Sequence, residues 1–168
     1  MYKLPNGVPL VERNWPDKPI RPRIVGLGRL HDWKRFDLLL EAFSIVAADF
    51  PEWDLHIFGE GRELDNLNQQ IHSLGLSSRI FLEGTTNDSI GEIFRGEVFA
   101  LPSSHEPFGM VIIEAYAAGC PVVCFDVETG PKEIVIHGET GLRAIPLVAK
   151  DFAFKPICER NSGDAIRS

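Results

Sequence analysis

Between residues 23 and 144 the chain alternates short, mostly apolar runs with segments of helical periodicity. Arg23 to Gly28, Trp53 to Phe58, Arg79 to Leu82, Val98 to Leu101, Pro121 to Phe125 and Gly141 to Ala144 read as strands. Between them, Phe36 to Phe50 carries Leu39, Leu40, Phe43, Val46 and Ala47 at helical spacing and is closed by Pro51. Leu64 to Leu74 is a helix stopped by Gly75, Ser89 to Phe94 a short helix, Met110 to Ala118 a helix stopped by Gly119, and Pro131 to Ile136 a helical turn. Strands apolar on both faces and separated by helices must pair in parallel, because each crossover needs a dozen or more residues and covers the sheet. The expectation is a Rossmann-like α/β domain: a parallel sheet of about six strands with helices on both faces.

That domain spans residues 23–146. Residues 1–22 hold five prolines (Pro5, Pro9, Pro16, Pro19 and Pro22) and read as an extended lead-in. Residues 147–168 lack an amphipathic pattern and end in Asn161-Ser162-Gly163-Asp164, so an irregular or poorly ordered tail is expected there. A net charge of −7 argues against a nucleic-acid partner, which needs a broad basic face, but leaves room for a small anion gripped by two or three cations. Cys120, Cys124 and Cys158 form no Cys-x-x-Cys pair and read as buried free thiols of a reducing compartment. No apolar run is long enough to span a membrane, and Met1 to Pro5 resembles no signal peptide. A cytoplasmic location follows as the expectation, at the membrane surface when part of a larger enzyme.

In an open parallel sheet, ligands bind beyond the carboxyl ends of the strands. Two clusters stand there. After the first strand come Gly28-Arg29-Leu30-His31-Asp32-Trp33-Lys34-Arg35. Lys34 and Arg35 fall at the expected start of a helix, where the dipole disfavours cations, and an anion held between them would relieve that conflict. Arg29 offers a planar fork to phosphate oxygens and Lys34 a compact charge. After the fourth strand come Pro102-Ser103-Ser104-His105-Glu106-Pro107-Phe108-Gly109-Met110-Val111-Ile112-Ile113-Glu114. Pro107 and Gly109 keep Glu106 in a loop, and the helix starting near Gly109 offers unpaired backbone N–H groups to an anion. Glu114 lies about 7 Å further along that helix by the 1.5 Å rise per residue. Two carboxylates flanking a phosphate-binding helix start suit a nucleotide sugar, whose hydroxyls both acids can bind.

The run from Gly28 to Ala144 resembles the C-terminal domain of the group 1 glycosyltransferases, retaining enzymes of the GT-B fold. The likeness rests on Asn6-Gly7-Val8, Gly28-Arg29-Leu30 with Lys34, Phe58-Gly59-x-Gly61, Phe81-Leu82-x-Gly84, Leu101-Pro102-Ser103, Glu106-x7-Glu114, Ala117-x-Gly119-x-Pro121 and Gly138-x-x-Gly141. It implies that the chain is one half of a GT-B fold and the donor-binding half of an enzyme that moves a hexose or N-acetylhexosamine from a nucleotide diphosphate sugar to a glycan or lipid-linked acceptor. Arg29 and Lys34 would bind the diphosphate, Glu106 the sugar hydroxyls and Glu114 the ribose. Gly28 and the stretch Phe108, Gly109, Met110 and Val111 would line the sugar–phosphate pocket, and Gly84, Thr85 and Thr86 would hold the base. Glu106, Arg29 and Lys34 are the residues expected to carry the chemistry. Thr129-Gly130-Pro131 resembles a loop variant of polysaccharide-building members and points to a UDP-linked donor. The resemblance also implies an N-terminal acceptor-binding domain outside this stretch, which begins at the position of the interdomain hinge.

Other readings are weaker. Gly26-x-Gly28 and Gly59-x-Gly61 lack the third glycine of a dinucleotide fingerprint. His56, His72 and His137 have no metal-ligand spacing, Asp126-Val127-Glu128 reads as a turn, and no metal or other cofactor is expected. Two-carboxylate glycoside hydrolysis by Glu106 and Glu114 is disfavoured by the phosphate-binding features around them. A catalytically silent nucleotide-sugar-binding module stays open as the alternative to an enzyme half.

Overall fold

In the computed structural model, which describes residues 17–127, 130–144, 148–151, 154 and 158–159, six strands pair in parallel. They are β1 (Arg23–Leu27), β2 (Asp54–Phe58), β3 (Ile80–Gly84), β4 (Val98–Leu101), β5 (Val122–Phe125) and β6 (Gly141–Ala144), in the spatial order β3-β2-β1-β4-β5-β6. The helices α1 (Phe36–Ala47), α2 (Leu64–Ser73), α3 (Ser89–Phe94), α4 (Met110–Ala117) and α5 (Pro131–Ile134) connect them. The expected Rossmann-like parallel sheet is what the chain forms.

Alternation along each strand divides the core into two layers. Ile24, Leu55, Ile57, Val98, Ala100, Val123 and Phe125 pack with Leu39 and Phe43 of α1 and with Leu67 and Ile71 of α2. Val25, Phe99, Leu101, Val122 and Cys124 pack on the other face with Ile93 of α3 and with Ile112 and Ala115 of α4. No side chain caps the start of α1, yet eight of its residues are buried. At about 2 kcal/mol for each large apolar side chain removed from water, packing rather than capping holds that helix. The helix ends at Ala47, three residues before the expected Phe50. The N–H groups of Asp49 and Phe50 both turn back to the Val46 carbonyl, and Pro51 disfavours a helical residue before it.

The rim at the strands' amino ends is tied together by charge. The Asp54 carboxylate accepts from Arg21 at 2.6 Å and Arg79 at 2.9 Å, and the Asp54 N–H donates to the Pro22 carbonyl. The described part of the lead-in is therefore fastened to β2, while residues 1–16 lie outside the described residues. Most of the expected irregular tail also lies outside them. Of its described residues, Ala149–Asp151 form a short 3-10 turn against α1, and Phe154 and Cys158 are buried in the first layer.

All three cysteines are free and buried, and burial pushes each thiol up to about 12 from 9.0. Above pH 9 the unfolded chain loses these protons while the folded chain keeps them. The contribution is thus fully present below pH 9 and is lost as pH rises through the window up to about 12. Urea denaturation followed between about pH 8 and 10.5 should show stability falling, by up to about 1.4 kcal/mol per thiol per pH unit above the unfolded value. Cys124→Ala should flatten that fall, and in native buffer the three thiols should react slowly with a disulfide reagent.

Candidate functional site

The strand order reverses between β1 and β4, so the chain leaves these neighbouring strands in opposite directions and a crevice opens beyond their carboxyl ends. Gly26 is level with Ala100, which brings the loops after Leu27 and Leu101 out side by side.

After β1, Leu30 is fully buried, and its backbone exchanges hydrogen bonds with the loop after β2, donating to Glu60 and accepting from Glu63. Leu30 anchors the segment, and Arg29 before it is exposed, its guanidinium with no hydrogen bond or ion pair among the described residues. Asp32–Lys34 form a 3-10 turn, and Arg35 in the left-handed region (φ 52°) starts α1. The Lys34 stem lies over Gly28, where a Cβ would stand 3.3 Å from Lys34 Cε. Its Nζ donates to Glu106 Oε2 at 2.6 Å, with the two side chains only 16% and 12% exposed.

After β4, Ser103 is buried and its hydroxyl donates to the same Glu106 oxygen at 3.3 Å. The Ser104 N–H and hydroxyl both donate to the Trp33 carbonyl, at 2.9 and 3.0 Å. The loop carrying Arg29 and Lys34 is thus fastened to the loop carrying Glu106 by backbone and side chain together. Gly109 (φ 58°) starts α4, whose first N–H groups have no partner within the helix. From a third side comes Gly130 (φ 62°), where a Cβ would fall 2.4 Å from the Glu106 carbonyl oxygen, so the loop after β5 can close on Glu106 only with glycine there.

The other expected site residues lie at or after the ends of β1, β3 and β4. Gly28, Thr85 and Thr86 share a cleft of about 170 Å³ with Phe58, Gly59 and Ser89. Gly84 ends β3 at φ 74°, and its carbonyl accepts from Gly59 N–H at 2.7 Å. Phe108 is 78% exposed, Met110 and Val111 are half-buried, and Val111 packs against the second core layer. Glu114 is half-buried on α4, its carboxylate without a hydrogen bond or ion pair among the described residues.

Lys34 and Arg35 flank the start of α1, and each already has a carboxylate beside it: Lys34, at the end of the 3-10 turn, pairs with Glu106 at 2.6 Å, and Arg35 with Asp37 at 2.8 Å. The carboxylates of Glu106 and Asp37 relieve the conflict read from the sequence. The ties made by Ser103, Ser104 and Gly130 were missed as well. Their only signal was position, just after a strand in residues already quoted for the site.

The description "Glycosyl transferases group 1" matches residues 12–155. This chain belongs to that family. Among its relatives, an exopolysaccharide phosphotransferase of Streptomyces coelicolor is 37% identical over 151 residues, which cover 85% of this chain and 15% of the relative. A crystal structure of a variant of S. aureus TarM in complex with Fondaparinux, alpha-GlcNAc-glycerol and UDP superposes with a TM-score of 0.85 at 26% identity, over 98% of this chain and 33% of that one. The crystal structure of Anabaena HepE in complex with UDP-glucose gives 0.77 at 28% identity, over 88% and 41%. This group 1 glycosyltransferase chain therefore spans less than half the length of each. Among the described residues, no helix is long and apolar enough to cross a membrane.

The Gly130 contact with Glu106 can be isolated by substitution. Gly130→Ala should cost about 3 kcal/mol in urea denaturation, because the new methyl strikes the Glu106 backbone as well as straining φ. Gly119→Ala, also at positive φ (66°) but with open space at its Cβ, should cost about 1 kcal/mol. Equal costs would mean that the contact with Glu106 contributes nothing.

Proposed function

We propose that residues 23–146 are the donor-binding unit of a retaining glycosyltransferase that takes a UDP-linked hexose or N-acetylhexosamine and passes the sugar to a glycan or lipid-linked acceptor. The acceptor is held by a domain outside this stretch, and the whole enzyme works in the cytoplasm, at the membrane surface. The observation that carries the reading is the meeting of Lys34 and Glu106 at the reversal of the strand order, on the two segments that also carry Arg29 and lead into α4. UDP and UDP-glucose in the similar structures support the choice of base.

In this reading the uracil lies in the cleft lined by Thr85 and Thr86, and the ribose hydroxyls reach Glu114. The diphosphate lies between Arg29, Lys34 and the first N–H groups of α4. Glu106 accepts hydrogen bonds from the sugar. The bond between the anomeric carbon and the diphosphate oxygen breaks, its electron pair going to the diphosphate. The acceptor oxygen bonds to the same carbon from the same face, and its proton passes to the departing phosphate. Arg29, Lys34 and the helix start stabilise the charge that develops on the leaving group, as fixed dipoles and cations do in a preorganised site. No step of this scheme requires a metal.

Titration calorimetry with UDP, GDP and ADP and their glucose conjugates tests the reading. UDP and UDP-glucose should bind, and the guanosine and adenosine compounds should bind at least about tenfold more weakly. Arg29→Ala and Lys34→Ala should each weaken UDP binding by about tenfold or more, the loss of a charge-assisted hydrogen bond to phosphate. A correctly folded chain that binds none of these ligands would overturn the proposal. Binding without transfer when an acceptor domain is supplied would favour the silent module instead.

A further inference from the structure

The geometry points to a role for the Lys34–Glu106 ion pair in selecting the intact sugar donor over the spent nucleotide diphosphate. This rests on the donor reading above and goes beyond it, from what the two residues contact to what their mutual contact does. Lys34 Nζ lies 2.6 Å from Glu106 Oε2, and side-chain exposures of 16% and 12% leave the pair poorly screened by water and salt. Without ligand, the cation meant for the diphosphate is already committed to the carboxylate meant for the sugar.

Binding a nucleotide diphosphate therefore draws Lys34 away from Glu106, wholly or in part. A UDP-sugar gives Glu106 hydroxyl donors in exchange. UDP gives it nothing, and its terminal phosphate carries a further negative charge near neutral pH that the sugar ester lacks. That charge stands beside a carboxylate that has lost its cation, so UDP meets both a broken ion pair and a like-charge contact. The pair thus favours donor binding before transfer and UDP departure after it.

The surrounding structure suits such an exchange. The double hydrogen bond from Ser104 to the Trp33 carbonyl holds the two loops together independently of the ion pair. Ser103 donates to the same Glu106 oxygen and keeps that carboxylate in place when Lys34 leaves. The Lys34 side chain lies along the bare backbone of Gly28, which offers no side chain to block its turning.

The test is calorimetric titration of the whole chain with UDP, UDP-glucose and UDP-N-acetylglucosamine, with unfolding midpoints checked for every variant. The wild-type chain should bind at least one of the two UDP-sugars more tightly than UDP. Glu106→Gln and Glu106→Ala should each tighten UDP binding by about fivefold and cut the preference for the sugar nucleotide by about tenfold or more, about 1.4 kcal/mol. In a Lys34→Met background the gain in UDP affinity on adding Glu106→Gln should shrink by more than half. A folded wild-type chain that binds UDP as tightly as both sugar nucleotides overturns the inference. So does unchanged or weaker UDP binding in the Glu106 variants, or a full gain without Lys34, and in those cases the donor reading survives. A wild-type chain that binds no uridine nucleotide removes the donor reading and this inference together.

Discussion

Strand β1 has β2 on one side and β4 on the other, and the chain reaches β4 only after building β2 and β3 on the first side. Because parallel strands need long crossovers, the segments leaving β1 and β4 run to opposite faces of the sheet and part beyond their carboxyl ends. The rest of the site depends on this gap. It sets the loop that leads from β4 into α4 at the rim of the crevice. It also places Lys34, carried out by one strand, within reach of Glu106, carried out by the other, although 72 residues separate them. The apolar layers on either face keep the strands level, so the register that aligns Gly26 with Ala100 also aligns the two loops.

Much of this was legible in the residues. Runs such as Val98-Phe99-Ala100-Leu101 and Val122-Val123-Cys124-Phe125 are apolar at every position because both faces are covered, and no other arrangement of short strands demands that. The glycines after Leu74 and Ala118 marked helix ends because the chain adopts positive φ there. The two site clusters were found by the single rule that ligands gather where strands end. What the residues did not reveal was how the clusters engage. Helical spacing predicts which face of a helix is buried, but it does not show the 3-10 turn that precedes α1 and leads into a left-handed Arg35. Out of that turn Arg35 meets Asp37 and Lys34 meets Glu106. A pairing between loops 72 residues apart has no periodicity, so no window along the chain could have shown it.

Charge sets the last constraint. A chain with net charge −7 repels an anionic ligand at long range, so the cations that would bind one must act at contact distance. Lys34 is already paired with Glu106, while the exposed guanidinium of Arg29 has no protein partner among the described residues. The two cations are therefore not equivalent. Arg29 stands where an approaching diphosphate would meet it first, in water, where its attraction is weak and depends on salt. In the proposed reading Lys34 would reach a diphosphate only by leaving Glu106, in a drier setting where the same charge counts for more. On that proposal the division would let an acidic protein hold an anion without a standing basic patch, and would tie the strength of the grip to the presence of the sugar rather than to the phosphates alone.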